Sequence, residues 1–183
     1  MKFVPLEIPG LFCIEPKIFE DNRGYFFESF REDLFESSIG RVRFIQDNEA
    51  LSYYGVFRGF HFQKAPKAQA KLVRVVEGRV LDVVVDLRQE SKFFGKIASV
   101  ELSDENKRQL FIPKGFAHGY LTLSKQARFQ YKVDHYFSKE DEGGLIYSDP
   151  ALRIDWPISL DEFKISEKDR ILPGLSQLKN LKF

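Results

Sequence analysis

The stretch RGFHFQ, residues 58–63, places a histidine between two phenylalanines, just after an arginine and a glycine. The chain has only 3 histidines, so His61 stands out in this apolar setting. Because an unperturbed histidine has a pKa of about 6.5, it can exchange a proton near neutral pH. The stretch therefore indicates either a proton-transfer group in an apolar cavity or an inert core histidine. The same two interpretations apply to His118 in FIPKGFAHGY.

Two further candidates lie on apolar faces of predicted strands. In RFQYKVD, residues 128–134, regular alternation places Tyr131 on the inward face with two apolar neighbours. In the segment 71–76, alternation places Lys71 on the same face as two valines. Such a lysine either reaches solvent past the end of the strand or faces an anion or a developing negative charge, because an unpaired buried ammonium is costly.

A bulge would bring a third candidate, Arg58, into the same place as His61. Regular alternation puts the two side chains on opposite faces of a strand. Gly59 lies between them, and a bulge at this glycine would re-aim the neighbouring side chain. We therefore expect Arg58 and His61 to enter one cavity.

The elements that must position these residues are predicted to be mostly strands. Aromatic residues make up 15% of the chain, and valines recur in runs, which favours β-structure. A hairpin is predicted over residues 71–88, with its turn at Glu77-Gly78. Further strands are predicted at 26–30, 43–49, 55–63, 96–102, 109–113, 119–123 and 128–134. Many short strands with turns between them predict a sandwich or barrel, and the turn at 113–115 suggests a jelly roll.

Helical patterning is confined to residues 31–39 and to the segment after Ser166. Ser166 is a predicted helix cap with Asp169 three residues on, so a capping role is one interpretation of Asp169. No linker or repeat interrupts the chain, and 183 residues suit one domain, so a single domain over 1–183 is expected. The last eight residues, SQLKNLKF, are polar enough to form a mobile tail.

Composition excludes several classes of function. The net charge is +1, from 28 basic and 27 acidic residues, which argues against a nucleic-acid partner. Pro5 and Pro9 interrupt the apolar run that a signal peptide needs, and no stretch approaches the roughly 20 apolar residues of a membrane span. With the single Cys13, these features predict a cytoplasmic protein that contacts no membrane.

The sequence lacks the motifs that metal binding, phosphate loops and nucleophilic catalysis usually require. A metal-binding cupin would offer a His-x-His pair and a nearby carboxylate, but Gln63 follows His61, and Lys67 and Ala68 stand where that acid would be. No GxGxxG or GxxxxGK[ST] phosphate loop is present, and neither Cys13 nor any serine lies in a nucleophile elbow. We expect no metal and no cofactor.

Several separated blocks, in one order, resemble the dTDP-4-dehydrorhamnose 3,5-epimerase family. They are DNRGYFFESF, QDNEALS, RGFHFQ, KLVRV, FIPKGFAHGY, YKVDHYF, YSDPALRIDWP and ISEKDR. The resemblance implies a mostly β, cupin-type double-sheet jelly-roll barrel with a few short peripheral helices. It also implies a metal-free homodimer acting on a dTDP-4-keto-6-deoxyhexose in dTDP-L-rhamnose biosynthesis.

By this resemblance, His61 is the general base, Tyr131 the general acid on the opposite side of the sugar ring, and Lys71 the stabiliser of the enolate oxygen. Asp169 would orient His61 and balance its charge, which competes with the capping interpretation.

The resemblance also implies a set of substrate-binding residues. Arg58 and His118 would bind the pyrophosphate or the sugar, and Phe137 would stack on the thymine. Arg23 and Glu28 would contact the nucleotide, reaching into the partner subunit's site. The remaining implied contacts are Gln46, Asn48, Glu142 and Lys168.

Some positions depart from the family pattern. Phe60 stands where leucine is usual, Phe137 where tyrosine is common, and Tyr147 where tryptophan is expected. The stretch 139–147 matches poorly and contains Glu142. These departures keep open a mono-epimerase or ketoisomerase acting on a related deoxysugar nucleotide. A metal-dependent cupin enzyme and a non-catalytic sugar-binding cupin are the alternatives from other classes.

Overall fold

The computed structural model describes all residues, Met1–Phe183. It contains thirteen strands, two short helices and two 3-10 turns. The strands are β1 (Lys2–Pro5), β2 (Phe12–Glu15), β3 (Phe19–Asp21), β4 (Gly24–Phe26), β5 (Gln46–Tyr53), β6 (Phe57–Gln63), β7 (Lys71–Glu77), β8 (Arg79–Asp86), β9 (Ile97–Ser103), β10 (Gln109–Ile112), β11 (Phe116–Thr122), β12 (Gln126–Val133) and β13 (Glu142–Gly144). The helices are α1 (Glu32–Ser38) and α2 (Glu167–Arg170), with 3-10 turns at Leu160–Glu162 and Leu175–Gln177.

Two antiparallel sheets face each other and form the jelly-roll barrel. One has six strands in the order β1-β2-β10-β7-β12-β5, and the other has five in the order β13-β6-β11-β8-β9. Their facing sides bury a core that includes Val73, Leu110 and Phe129. This confirms the mostly β fold class. No helix has the length and apolar composition needed to cross a membrane.

Both sheets are also covered on their outer sides. Helix α1 and the adjoining segments pack Phe35 against Leu72 and Phe111 outside the six-stranded sheet. The segment after β13 covers the five-stranded sheet, where Phe163 and Trp156 pack on Phe57. Strands in the middle of such a stack are apolar on both faces, which weakens the alternation that a half-exposed strand would show.

The predicted hairpin over residues 71–88 is wrong, although both of its strands exist. β7 pairs with β10 and β12, whereas β8 pairs with β11 and β9, so Gly78 joins two strands of different sheets. A Cβ at Gly78 would lie 2.1 Å from the carbonyl oxygen of Gln126, which leaves room only for glycine. The local pattern indicates a turn, but the partner of each strand is set by distant segments.

Two other predictions also need correction. Of the strand predicted at 26–30, only Phe26 lies in a strand, because β4 pairs with the short β3 alone and the chain then runs on towards α1. The last eight residues do not form a free tail. Phe183 packs against Phe62 with ring centroids 5.8 Å apart, and the carbonyl of Lys182 accepts a hydrogen bond from Ala65 at 2.8 Å.

A bulge at Gly59 brings Arg58 and His61 together, as the sequence predicts. His118 pairs with His61 and Tyr120 pairs with Arg58, so three steps along β6 oppose two along β11. Gly59 has a φ of +138°, and a Cβ there would lie 2.5 Å from the Cα of Gly119. Only glycine fits both the dihedral angle and the close approach.

We therefore expect Gly59→Ala to lower the free energy of unfolding by roughly 3 kcal/mol, because it combines dihedral strain with a backbone clash. Gly24→Ala is the matched control, since Gly24 has a φ of +128° but nothing within 4 Å of its Cβ position. That control should cost only about 1 kcal/mol. Urea denaturation of both variants measures the difference, and equal losses would contradict the role of the close approach.

Candidate active site

A cavity of about 490 Å³ opens between the two sheets and collects most of the predicted chemistry. Its wall contains all four predicted catalytic residues: His61, Lys71, Tyr131 and Asp169. Of the nine predicted substrate-binding residues, Arg58, His118 and Lys168 also line it. These side chains come from distant parts of the sequence, and the fold brings them into one cavity.

One wall of the cavity carries an imidazole–carboxylate pair. His61, on β6, has its Nε2 atom 2.7 Å from Oδ1 of Asp169 on α2. Burial acts to raise the pKa of Asp169, but the hydrogen bond and charge of His61 and the hydroxyl of Ser166 outweigh it, so this pKa lies below its ordinary value. Asp169 is therefore a carboxylate at neutral pH, and it holds the His61 ring in place.

The two interpretations of Asp169 are compatible in the structure. Its backbone N–H donates to the Ser166 hydroxyl at 3.2 Å, which caps α2. Its side chain meanwhile contacts His61. The cap fixes the backbone of α2, and that backbone aims the carboxylate.

The opposite wall carries Tyr131 and Lys71. Both lie on the inner face of the six-stranded sheet, where Tyr131 pairs with Val73 and Lys71 pairs with Val133, so the two are diagonal neighbours. Burial raises the pKa of Tyr131, with Arg58 opposing it, so the phenol is neutral at pH 7. Burial lowers the pKa of Lys71 to about 8, although the charges of Asp82 and Glu142 oppose this.

A second histidine–carboxylate pair joins His118, in the cavity wall, to Asp82 behind it. His118 Nε2 is 2.9 Å from Oδ2 of Asp82, and both residues are almost fully buried. Burial lowers the pKa of His118 more than the charge and hydrogen bond of Asp82 raise it. His118 is therefore neutral at pH 7, and a neutral ring that donates from Nε2 has an acceptor at Nδ1.

The strand pattern does not single out Asp82. Alternation places it with Asp86 on the polar row of β8, which on a half-exposed strand would face solvent. β8 is instead a central strand between β11 and β9, so both of its faces are covered. The sequence feature that could have identified Asp82 is its position within the Val-rich run 80–85. A charged side chain buried in such a run needs a buried partner.

The charge of the cavity is positive. Arg58, Lys71, Lys164 and Lys168 contribute cationic groups to its wall, against one carboxylate from Asp169. Lys168 is also bonded to Glu142 of β13 at 2.5 Å, which joins α2 to the edge of the five-stranded sheet. Such a cavity suits an anionic ligand.

Gln46 and Asn48 lie beside the cavity rather than in its wall. They share the inward row of β5, and Gln46 Nε2 donates to Asn48 Oδ1 at 2.8 Å. Asn48 pairs across the strands with Tyr131. At this strand the cavity wall is formed by Ala50.

Arg23, Glu28 and Phe137 lie outside the cavity of their own chain. Arg23 extends from the turn between β3 and β4 and pairs with Asp21 at 2.6 Å, with 86% of its side chain exposed. Glu28 pairs with Arg31 at 3.7 Å. Phe137 follows β12 and is 61% exposed. A single copy of the chain does not bring these three residues to the catalytic set.

No group of three or more His, Cys, Asp or Glu side chains is placed to hold a metal ion. The pairs described above, His61 with Asp169 and His118 with Asp82, each supply two such side chains.

Comparison with known proteins gives the family. A family model described as dTDP-4-dehydrorhamnose 3,5-epimerase matches residues 5–177. The chain belongs to this family. The family resemblance carried by the sequence blocks is therefore confirmed.

Relatives of this epimerase family match in sequence and in structure. The dTDP-4-dehydrorhamnose 3,5-epimerase of Salmonella typhimurium is 50% identical over 179 residues, covering 97% of this chain and 97% of the relative. The crystal structure of the Elizabethkingia anophelis enzyme of the same name has a TM-score of 0.93 at 48% identity, covering 96% of this chain and 97% of that one. The dTDP-6-deoxy-D-glucose-3,5-epimerase of Legionella pneumophila, solved with dTDP-4-keto-L-rhamnose, has a TM-score of 0.92 at 45% identity, covering 96% and 93%.

Proposed function

We propose that this chain is an isomerase that inverts carbons 3 and 5 of dTDP-4-keto-6-deoxy-D-glucose and yields dTDP-4-keto-L-rhamnose. The arrangement of the cavity is the observation that carries the proposal. A histidine on one sheet and a tyrosine on the other line the same space, together with the half-buried Lys71. Inversion next to a ketone needs a base and an acid on opposite faces of the ring and a cation for the enolate oxygen.

Each inversion then proceeds by two proton transfers. The Nε2–H of His61 donates to Asp169, which leaves the Nδ1 lone pair to remove the proton from the carbon beside the ketone. The electron pair of the broken C–H bond moves onto the ketone oxygen, and the Lys71 ammonium stabilises this enolate. Tyr131 returns a proton to the other face of the carbon. Proton exchange with solvent restores neutral His61 and the Tyr131 phenol.

The remaining cavity residues are assigned to binding. Arg58 and Lys168 suit the diphosphate because they are cationic. Neutral His118 has an acceptor at Nδ1, so it suits a sugar hydroxyl better than a phosphate oxygen. Gln46, Asn48 and Glu142 are assigned to further contacts around the nucleotide sugar.

We also propose that residues 1–183 act as one domain in a cytoplasmic homodimer without a cofactor. The positions of Arg23 and Glu28 support the dimer, because both are exposed and lie away from the cavity of their own chain. In a dimer, each could contact the nucleotide in the partner subunit's cavity. Phe137, exposed beyond β12, is assigned to stacking on the thymine.

Solvent deuterium incorporation tests this function. In D₂O, the purified protein should place deuterium at both carbon 3 and carbon 5 of dTDP-4-keto-6-deoxy-D-glucose, because each inverted carbon receives a solvent-derived proton. Activity should persist after treatment with a chelator. Label at one carbon would establish a mono-epimerase, whereas no label would leave only a sugar-binding protein.

A further inference from the structure

The hydroxyl of Ser52 connects two residues of the cavity wall. Ser52 lies on β5 and is 2% exposed. Its Oγ accepts a hydrogen bond from Arg58 Nε at 2.9 Å and is 3.1 Å from the hydroxyl of Tyr120. Arg58 and Tyr120 belong to the five-stranded sheet, whereas Ser52 belongs to the six-stranded sheet. One buried hydroxyl therefore bridges the two sheets at the cavity.

The positive charge of Arg58 is not neutralised by its hydrogen-bond partners. Its two hydrogen bonds, from Nε to Ser52 and from Nη2 to the carbonyl of Leu51 at 3.3 Å, go to neutral oxygen atoms. These bonds fix one edge of the guanidinium group. The other edge has free N–H donors, and a guanidinium edge matches two oxygen atoms of a phosphate group.

Tyr120 provides a rigid support for the same hydroxyl. Its ring stacks on Phe129 with centroids 4.0 Å apart and an interplanar angle of 11°. The residue is 4% exposed, so the phenolic oxygen has little freedom to move. A serine hydroxyl has one hydrogen and two lone pairs, so it can bond to both Arg58 and Tyr120 at once.

We propose that Ser52 is a positioning residue for substrate binding. It holds the guanidinium of Arg58 towards the diphosphate of the nucleotide sugar, and Tyr120 anchors Ser52 from the other side. This inference rests on the proposed function, since it takes a nucleoside diphosphate as the group that Arg58 binds. It assigns to Ser52 no direct contact with the reacting carbons.

Calorimetric titration of the purified protein with dTDP and with thymidine tests the role of Ser52. Ser52→Ala should weaken dTDP binding about tenfold, because a hydrogen bond to a charged group is lost and Arg58 is no longer fixed. Thymidine affinity should not change, since thymidine has no diphosphate. In turnover assays, KM should rise about tenfold while kcat changes less than about twofold. A merely structural role for Ser52 would change both ligands alike.

Two further variants complete the test. In an Arg58→Met background, Ser52→Ala should cause no additional loss of dTDP affinity, because its effect passes through Arg58. Ser103→Ala is the matched control: Ser103 is also buried, and its hydroxyl accepts from Asn106 N at 3.0 Å, away from the cavity. An unchanged dTDP affinity in Ser52→Ala, or an equal loss in Ser103→Ala, would overturn the inference alone. Failure of the unmodified protein to bind dTDP would overturn the proposed function as well.

Discussion

Replacing His61 with asparagine should lower turnover by about 10²- to 10⁴-fold and should also stop deuterium from entering the sugar. Asparagine retains a group that can hydrogen-bond to Asp169, but it cannot accept a proton from carbon. Without that first transfer no enolate forms, so neither exchange nor inversion occurs. Mass spectrometry of the sugar nucleotide recovered from D₂O measures both.

Tyr131→Phe should separate deuterium exchange from inversion, whereas His61→Asn should abolish both. His61 would still form the enolate, and the abstracted proton would exchange with solvent and return to the same face. Deuterium should therefore enter the sugar while inversion falls sharply. Undiminished inversion would show that Tyr131 is not the acid.

The third histidine supplies the control for the His61 prediction. His135 does not line the cavity, so His135→Asn should leave turnover within about twofold of the unmodified protein. If His61→Asn retained deuterium exchange at a normal rate, another group would have to be the base.

Lys71→Met should reduce turnover by about 10²- to 10³-fold while leaving dTDP affinity nearly unchanged. Methionine has a similar length but no charge, so the enolate oxygen would lose its counter-charge. The fold should tolerate the change, because burial of the ammonium is unfavourable in the unmodified protein, as its lowered pKa indicates. Near-normal turnover would exclude Lys71 as the stabilising group.

The pH dependence of kcat/KM offers an independent test of Lys71. Because its pKa is about 8, the ammonium is lost as the pH rises through that value, and kcat/KM should fall on the alkaline side. The pKa of Tyr131 is raised by burial, so its deprotonation occurs at higher pH and does not account for this limb. Lys71→Arg, which stays charged throughout, should retain some activity and lose the alkaline limb. If the fall in kcat/KM near pH 8 persisted in Lys71→Arg, it would report the titration of another group.

Alternation in the sequence was sufficient to predict most strands and the faces of key residues. Tyr131 and Lys71 do lie on the inward face of their strands, and Gly59 does form the bulge that brings Arg58 beside His61. These features depend on residues close together in the chain, because side-chain direction follows from the two-residue period and from the special geometry of glycine.

Strand pairing could not be predicted in the same way. The run 71–88 reads as a hairpin, yet its two strands enter different sheets. The last eight residues read as a polar tail, yet Phe183 packs on Phe62. In both cases the position of the segment depends on packing against residues that are far away in the sequence. A local sequence pattern does not contain this information.

The family and the class of fold could be inferred from the sequence alone, and the same resemblance supplies the base, acid and lysine that we propose for catalysis. The groups that surround these catalytic residues are known only from the folded chain. Asp82 is a buried partner of His118 because β8 is covered on both faces. Ser52 bridges the two sheets because β5 approaches the opposite sheet at Tyr120. The pKa of Lys71 likewise depends on burial by both sheets. Residue types fix what a side chain can do, whereas its charge state and hydrogen-bond partners depend on what the fold packs against it.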